Sequence, residues 1–180
     1  STDADQIVVT PGDLEKTWVD GNRRYFQYSM GTTKIENFIA FLSGRYAIKK
    51  AEWRGMPIEI YYHPGHEYNL DRMIAGVQKS LDYYTAQFGP YPYRQVRIVE
   101  FPRYSEFAQA FQGMIPYSEG IGFIARVRPD DDKDVDYPFY VTAHEIAHQW
   151  WGHQVEAANV QGGGLIVETL SQYSAMMVME

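Results

Sequence analysis

The hydrophobic pattern of this chain changes its period at residues 63–69, and that change excludes both an all-β and an all-helical fold. Before it lie short runs rich in β-branched and aromatic residues: IVVT, RRYFQYSM, IENFIAFLS, GRYAIKKAEW and MPIEIYYH. Gly, Asn, Ser or Pro punctuates them, so they read as strands, the last three as a meander. After the polar break HPGHEYN, Leu70, Met73, Ile74, Val77, Leu81, Tyr84 and Phe88 fall on one helical face. Asn69 is placed to cap that helix and Gly89-Pro90 to end it. QVRIVEFP (95–102) and GIGFIARV (120–127) read as two further strands.

The acidic stretch RPDDDKDVDYP (128–138) alternates Asp130, Asp132 and Asp134 in the manner of a calcium loop. Its sixth position is Val135 rather than Gly and its twelfth Val141 rather than Glu, so it reads as a solvated loop. Pro138 opens a helix that runs to about Gly152, and a turn at Gly162, Gly163 and Gly164 leads to a last helix from about Leu165 onward. STDADQ has the look of a cut boundary, and AMMVME stops inside a helical pattern, so we expect a piece of a longer protein.

Composition narrows the partners. The formal charge is −7 over 180 residues, with no basic run, which disfavours nucleic acid and anionic membrane surfaces. No apolar stretch approaches the 18 residues of a membrane span, so no membrane contact is expected of this region. Cysteine is absent, so any metal must be held by His, Asp or Glu. None of this fixes a compartment.

The chemistry concentrates in HEIAHQWWGH, residues 144–153. His144 and His148 are four apart, so on a helix both imidazoles reach one ion. Glu145 points roughly 100 degrees round the helix. It would flank a metal rather than bind it, which suits a general base. A catalytic zinc takes three protein ligands. His153 is one place off the metzincin spacing, which needs Gly at 151 and His at 154 where this chain has Trp151 and Gln154, and it reads as a polar residue at the helix end. Glu156 follows the helix stop too closely to fold back. Glu168, in VETLSQYSA on the next helix, completes a His-His-Glu set and is the expected third ligand for one Zn2+.

HEIAHQWWGHQV resembles the signature helix of the membrane alanyl aminopeptidase family, the gluzincins that include leukotriene hydrolase, and VETLSQY resembles its third-ligand segment N-E-G-F-A-x-Y. The match implies His144, His148 and Glu168 as zinc ligands and Glu145 as the base. The third ligand lies 20 positions after the second histidine (168 − 148) where the family has 19, and the extra residue fits in the Gly162–Gly164 turn. Val167 and Thr169 replace the family's Asn and Gly. PYSEGIGFIA (116–125) aligns with G-x-M-E-N-W-G-L-I, which implies that Glu119, with Gly120 and Gly122 beside it, holds the free α-amine of a peptide substrate. Tyr117, Ser118 and Gly120 depart from that motif. The family's oxyanion-stabilising tyrosine has no match among these residues.

The resemblance implies an α+β fold: the end of a β-sandwich domain over residues 1–62, then a thermolysin-like zinc peptidase region over 63–180 with a mixed sheet and helices. It implies an aminopeptidase releasing N-terminal residues. The altered surroundings of Glu119 keep two alternatives in play: a gluzincin endopeptidase, and a non-catalytic zinc-containing peptide-binding module of a membrane complex. The branch it is most similar to is bacterial, with such a region joined to a transporter-like membrane protein, which implies a membrane-attached parent with this region outside the cytoplasm.

Overall fold

A computed structural model describes residues 1–128, 130 and 134–180. The middle of the acidic stretch, 131–133, lies outside the described residues, so the solvated-loop reading is not addressed by them. The molecule is mixed α+β. Nine strands and three α-helices are described: β1 (Thr2–Asp3), β2 (Ile7–Val9), β3 (Asp13–Asp20), β4 (Arg23–Ser29), β5 (Leu42–Gly44), β6 (Ala47–Trp53), β7 (Met56–Tyr62), α1 (Leu70–Phe88), β8 (Val96–Phe101), β9 (Met114–Ser118), α2 (Tyr137–Ala147) and α3 (Gly163–Met179).

The strands form three sheets, β1-β4-β3, β2-β5 and β6-β7-β8-β9. In the last, β6 pairs antiparallel with β7, and β7, β8 and β9 run parallel. This sheet runs across residue 62, since β7 pairs with β8 from Ile58–Val96 to Tyr61–Val99. β8 is buried along its whole length, as expected of a central parallel strand covered on both faces. Val96 and Ile98 face the helices with Leu81, Tyr84 and Ile146. Val99 faces Val9, Tyr61, Phe111 and Met114 on the other side.

The strand also buries two charges. Arg97 bonds Glu59 at 3.3 Å and the carbonyl of Gly12. Glu100 accepts the His63 backbone N–H at 2.6 Å and faces His66 Nδ1. Both are hydrogen-bonded, as a buried charged group must be.

α1 buries most of the face its periodicity sets out, Leu70, Met73, Ile74, Val77, Leu81 and Tyr84, while Phe88 at its end is exposed. It lies so close to α2 that a Cβ on Gly76 would meet Thr142 at 3.2 Å. α2 begins on Asp136, whose carboxylate accepts the Phe139 N–H at 3.2 Å and pairs with Arg72. Its last α-helical residue is Ala147 rather than the expected Gly152. From there Gln149 N–H bonds Ile146 O and Trp150 N–H bonds Ala147 O, three residues back, so the helix tightens as it ends.

Three local expectations are corrected. Residues 119–124 form turns rather than a strand, and 125–127 are irregular. Their carbonyls are taken by Asn69, whose side-chain amide donates to Gly122 O at 2.7 Å, Phe123 O at 3.3 Å and Ala125 O at 2.8 Å. Asn69 therefore makes no side-chain cap on α1; it pins this turn instead. Within IENFIAFLS only Leu42 and Ser43 enter a strand, because the segment lies on the surface with Phe38, Ile39 and Phe41 exposed. Conversely β3 was not foreseen: it is exposed from Leu14 to Asp20, so no buried alternation marks it.

Candidate metal centre

α2 and α3 pack side by side and bring three residues to one point. His144 Nε2 and His148 Nε2 lie 3.0 Å apart. Glu168 Oε2, from α3, is 3.4 Å from the first and 3.6 Å from the second. Although α2 ends at Ala147, His148 keeps right-handed helical torsions and its N–H bonds His144 O at 3.2 Å, so the one-turn stacking of the imidazoles survives.

The surroundings select protonation states that suit a metal. The Nδ1 of His148 faces Trp151 O at 2.9 Å and Ser171 Oγ at 3.0 Å. The carbonyl is an acceptor only, so Nδ1 carries the proton and Nε2 presents its lone pair. Burial, then the neighbouring His148, holds His144 down to about 4, against the pull of Glu168. It is therefore neutral near pH 7. A carboxylate oxygen and two imidazole nitrogens thus converge. One proton bridges a single pair of these three atoms, while a cation at their centre satisfies all of them. The separations match ligands each about 2.0–2.2 Å from a zinc ion. The donor set fits zinc. His144 Nδ1 is buried with no partner among the described residues, unlike the usual metal-bound histidine.

Glu145 stands beside this group, buried, and is pushed up to about 8 by that burial and by Glu168, with the Ala110 N–H drawing it back. Its Oε2 has no partner among the described residues. A carboxyl poised near neutrality in a dry site is the form in which a carboxylate exchanges protons at physiological pH.

Ala110 was not legible as a site residue. It lies in residues 107–111, which fold back along β9: Gln109 N–H bonds Pro116 O and Ser118 N–H bonds Phe107 O. Its carbonyl accepts from His153 Nε2 at 3.1 Å, so His153 braces this edge rather than joining the metal group. Glu156 is exposed and belongs to no metal-ligating group among the described residues. Ser171, also unforeseen, sits three positions after Glu168 on α3; a buried serine on the ligand helix was the available signal.

Glu119 is not among the side chains whose ligand atoms meet at this point. The bridges Ala108–Tyr117 and Phe111–Met114 set Ala110 opposite Ile115. Glu119 is four residues further on, just past the end of β9. It gathers instead with His66 and Glu100. A Cβ on Gly122 would meet the Tyr117 ring at 2.8 Å and Met73 Cε at 2.9 Å, so close packing requires this glycine. Gly120 lies against the Arg103 side chain.

No family profile matches the chain. It is 28% identical over 158 residues to aminopeptidase 2 of Candida albicans, covering 83% of this chain and 16% of that protein. It is 25% identical over 147 residues to the puromycin-sensitive aminopeptidase of Caenorhabditis elegans, covering 78% and 15%. It is 27% identical over 119 residues to aminopeptidase N of Acetobacter pasteurianus, covering 65% and 33%. All three are aminopeptidases. The chain spans a third or less of the length of these relatives. Among the described residues no helix is long and apolar enough to cross a membrane.

Proposed function

We propose that this chain is the zinc-binding part of a metallopeptidase of the membrane alanyl aminopeptidase family, with a gluzincin site and a thermolysin-like catalytic region, and that the protein carrying it hydrolyses peptides at their N-termini. The reading divides the chain at residue 62, with β6 and β7 shared by the sheet on both sides. Its carrying observation is the meeting of His144 Nε2, His148 Nε2 and Glu168 Oε2 within 3.6 Å, beside a buried Glu145. The aminopeptidase relatives support the same reading.

His144, His148 and Glu168 would hold the zinc. Bound there, the ion supplies a Lewis acid that polarises a scissile carbonyl and acidifies water. The rest falls to the chain. Glu145, buried beside these three ligands, takes a proton from the attacking water and returns it to the leaving amine. The Ala110 backbone beside Glu145 favours the charged form of its carboxyl group. The walls that bury Glu145 exclude bulk water.

One observation favours a second reading. The backbone beside Glu145 belongs to Ala110, while Glu119, the expected holder of the substrate's α-amine with Gly120 and Gly122, gathers with His66 and Glu100. That arrangement suits an endopeptidase as well. Zinc-loaded protein offered matched free and N-acetylated peptides separates the readings. Cleavage of the free peptides alone supports the aminopeptidase, and equal cleavage of the blocked ones replaces it with the endopeptidase. Zinc-loaded protein that cuts nothing in a broad peptide library replaces both with the non-catalytic module, whose attachment to a membrane protein belongs to the same proposal.

A further inference from the structure

At the carboxyl ends of the parallel strands β8 and β9, a second group of metal-ligating side chains comes together from three separate elements. His66 lies in the turn before α1, Glu100 near the end of β8 and Glu119 just past β9; one ligand atom of each lies within 4.8 Å of the others. His66 Nδ1 faces Glu100 Oε1 closely and Glu119 Oε2 at 3.9 Å.

The charges do not close. The Glu100 side chain is 0% exposed and that of Glu119 17% exposed. Two carboxylates confront one imidazole nitrogen, which has a single proton to give. Among the described residues the Lys or Arg side chain paired with Glu119 is Arg103, largely in solvent and 4.0 Å from Glu119 Oε1. Among the described residues the Glu119 carboxylate makes no hydrogen bond; its contacts are these two at 3.9 and 4.0 Å. Neighbouring carboxylates taken from water repel each other unless positive charge lies between them. Meanwhile Glu100 is already oriented: its Oε2 is held by the His63 N–H at 2.6 Å, which turns Oε1 toward His66 and Glu119. Such outer bonds are what aim a metal ligand. The 3.9 Å separation is within reach of two ligands that share one ion at about 2.0–2.2 Å each.

We propose that His66, Glu100 and Glu119 form a second divalent-cation site, separate from His144, His148 and Glu168. Two carboxylate oxygens and one imidazole nitrogen make a harder donor set than the helix site, suited to Mn2+ or a similar ion. The site ties the turn before α1 to the ends of β8 and β9. It does not rest on the peptidase reading. It gives Glu119 a different cation from the peptide amine expected of it, and metal and ammonium are told apart below.

The test is a titration of the zinc-loaded chain with Mn2+, following the loss of the free-ion magnetic resonance signal, for the wild type, Glu119→Gln, His66→Gln and Glu168→Ala. Glu119 is at the rim, so its isosteric amide leaves the buried Glu100 in place; circular dichroism checks the fold of each variant. The expected result is one Mn2+ bound by the wild type and by Glu168→Ala, and affinity at least about tenfold weaker in Glu119→Gln and His66→Gln. Affinities within twofold of wild type in both variants overturn the proposal. So does a chain that binds no Mn2+ but binds a free-amine tripeptide, and not its acetylated form, through Glu119. Failure of zinc binding in Glu168→Ala alone bears on the helix site and leaves this one standing.

Discussion

The two helices that meet at the metal-ligating group are built in opposite ways. α2 is buried through most of its length and carries His144, Glu145 and His148 into the core. α3 buries only Gly163, Ser171, Ser174, Ala175 and Val178. It leaves Leu165, Ile166, Tyr173 and Met176 in solvent, and it reaches the group with a Glu168 side chain that is 60% exposed. Packing therefore fixes the two histidines, whereas an exposed carboxylate beside a neutral imidazole gains little by itself. The lesson is a division of labour: α2 supplies a preset pair of ligands, and α3 is held to it by Ser171, Ser174 and whatever cation Glu168 shares.

That contrast can be broken at several points. The largest effect is expected at Glu145. Glu145→Gln keeps zinc but lowers peptide hydrolysis by about 100- to 10,000-fold, measured as kcat on the zinc-loaded protein. Activity near wild type would remove Glu145 as the base. Next comes burial. Leu81→Ala, in the core under α2, is expected to destabilise by about 2–5 kcal/mol. Leu165→Ala, on the open face of α3, should stay within about 0.5 kcal/mol. Urea melts of the two variants compare them, and equal losses would mean that α3 is covered in solution.

Smaller effects sharpen the comparison. Ser171→Ala removes the α3 hydroxyl from His148 Nδ1 and leaves Trp151 O in place. Zinc affinity should fall about tenfold, read by competition with a chelator. Asp136→Ala takes away the α2 cap and the partner of Arg72, at a cost of about 1 kcal/mol in thermal or urea melts.

The last effect is a pH trend in zinc-free protein. Glu145 binds its proton with a pKa of about 8 when folded against 4.5 as its ordinary value. The native state thus holds more protons than the unfolded one between those values, and stability falls as pH rises through that window. His144, down to about 4 from 6.5, acts oppositely and costs stability as pH drops below 6.5. The two oppose each other below pH 6.5, so between about 6.5 and 8 the decline due to Glu145 is not offset by His144. Glu145→Gln should flatten it.

What was legible in the sequence was what lies within one element. The α1 face and the His144–His148 pair each follow from helical period alone. Glu168 needed only the next helix and a short turn. What was hidden depends on where distant segments meet. The influence of Ala110 on Glu145 comes from the backbone of a folded-back edge, which no side chain advertises. Asn69 looked like a helix cap, yet it serves three carbonyls more than 50 positions away. His66, Glu100 and Glu119 come from a turn, a strand and a strand end, with no spacing that marks them as a group.

The most direct test of the His144–His148–Glu168 site is zinc affinity by chelator competition in the wild type and Glu168→Ala. If α3 completes the site, the wild type holds one zinc tightly there, and the variant holds it about 10- to 100-fold more weakly while folding normally. Equal affinity in the two proteins would contradict the account and leave α2 with its histidine pair and no partner helix.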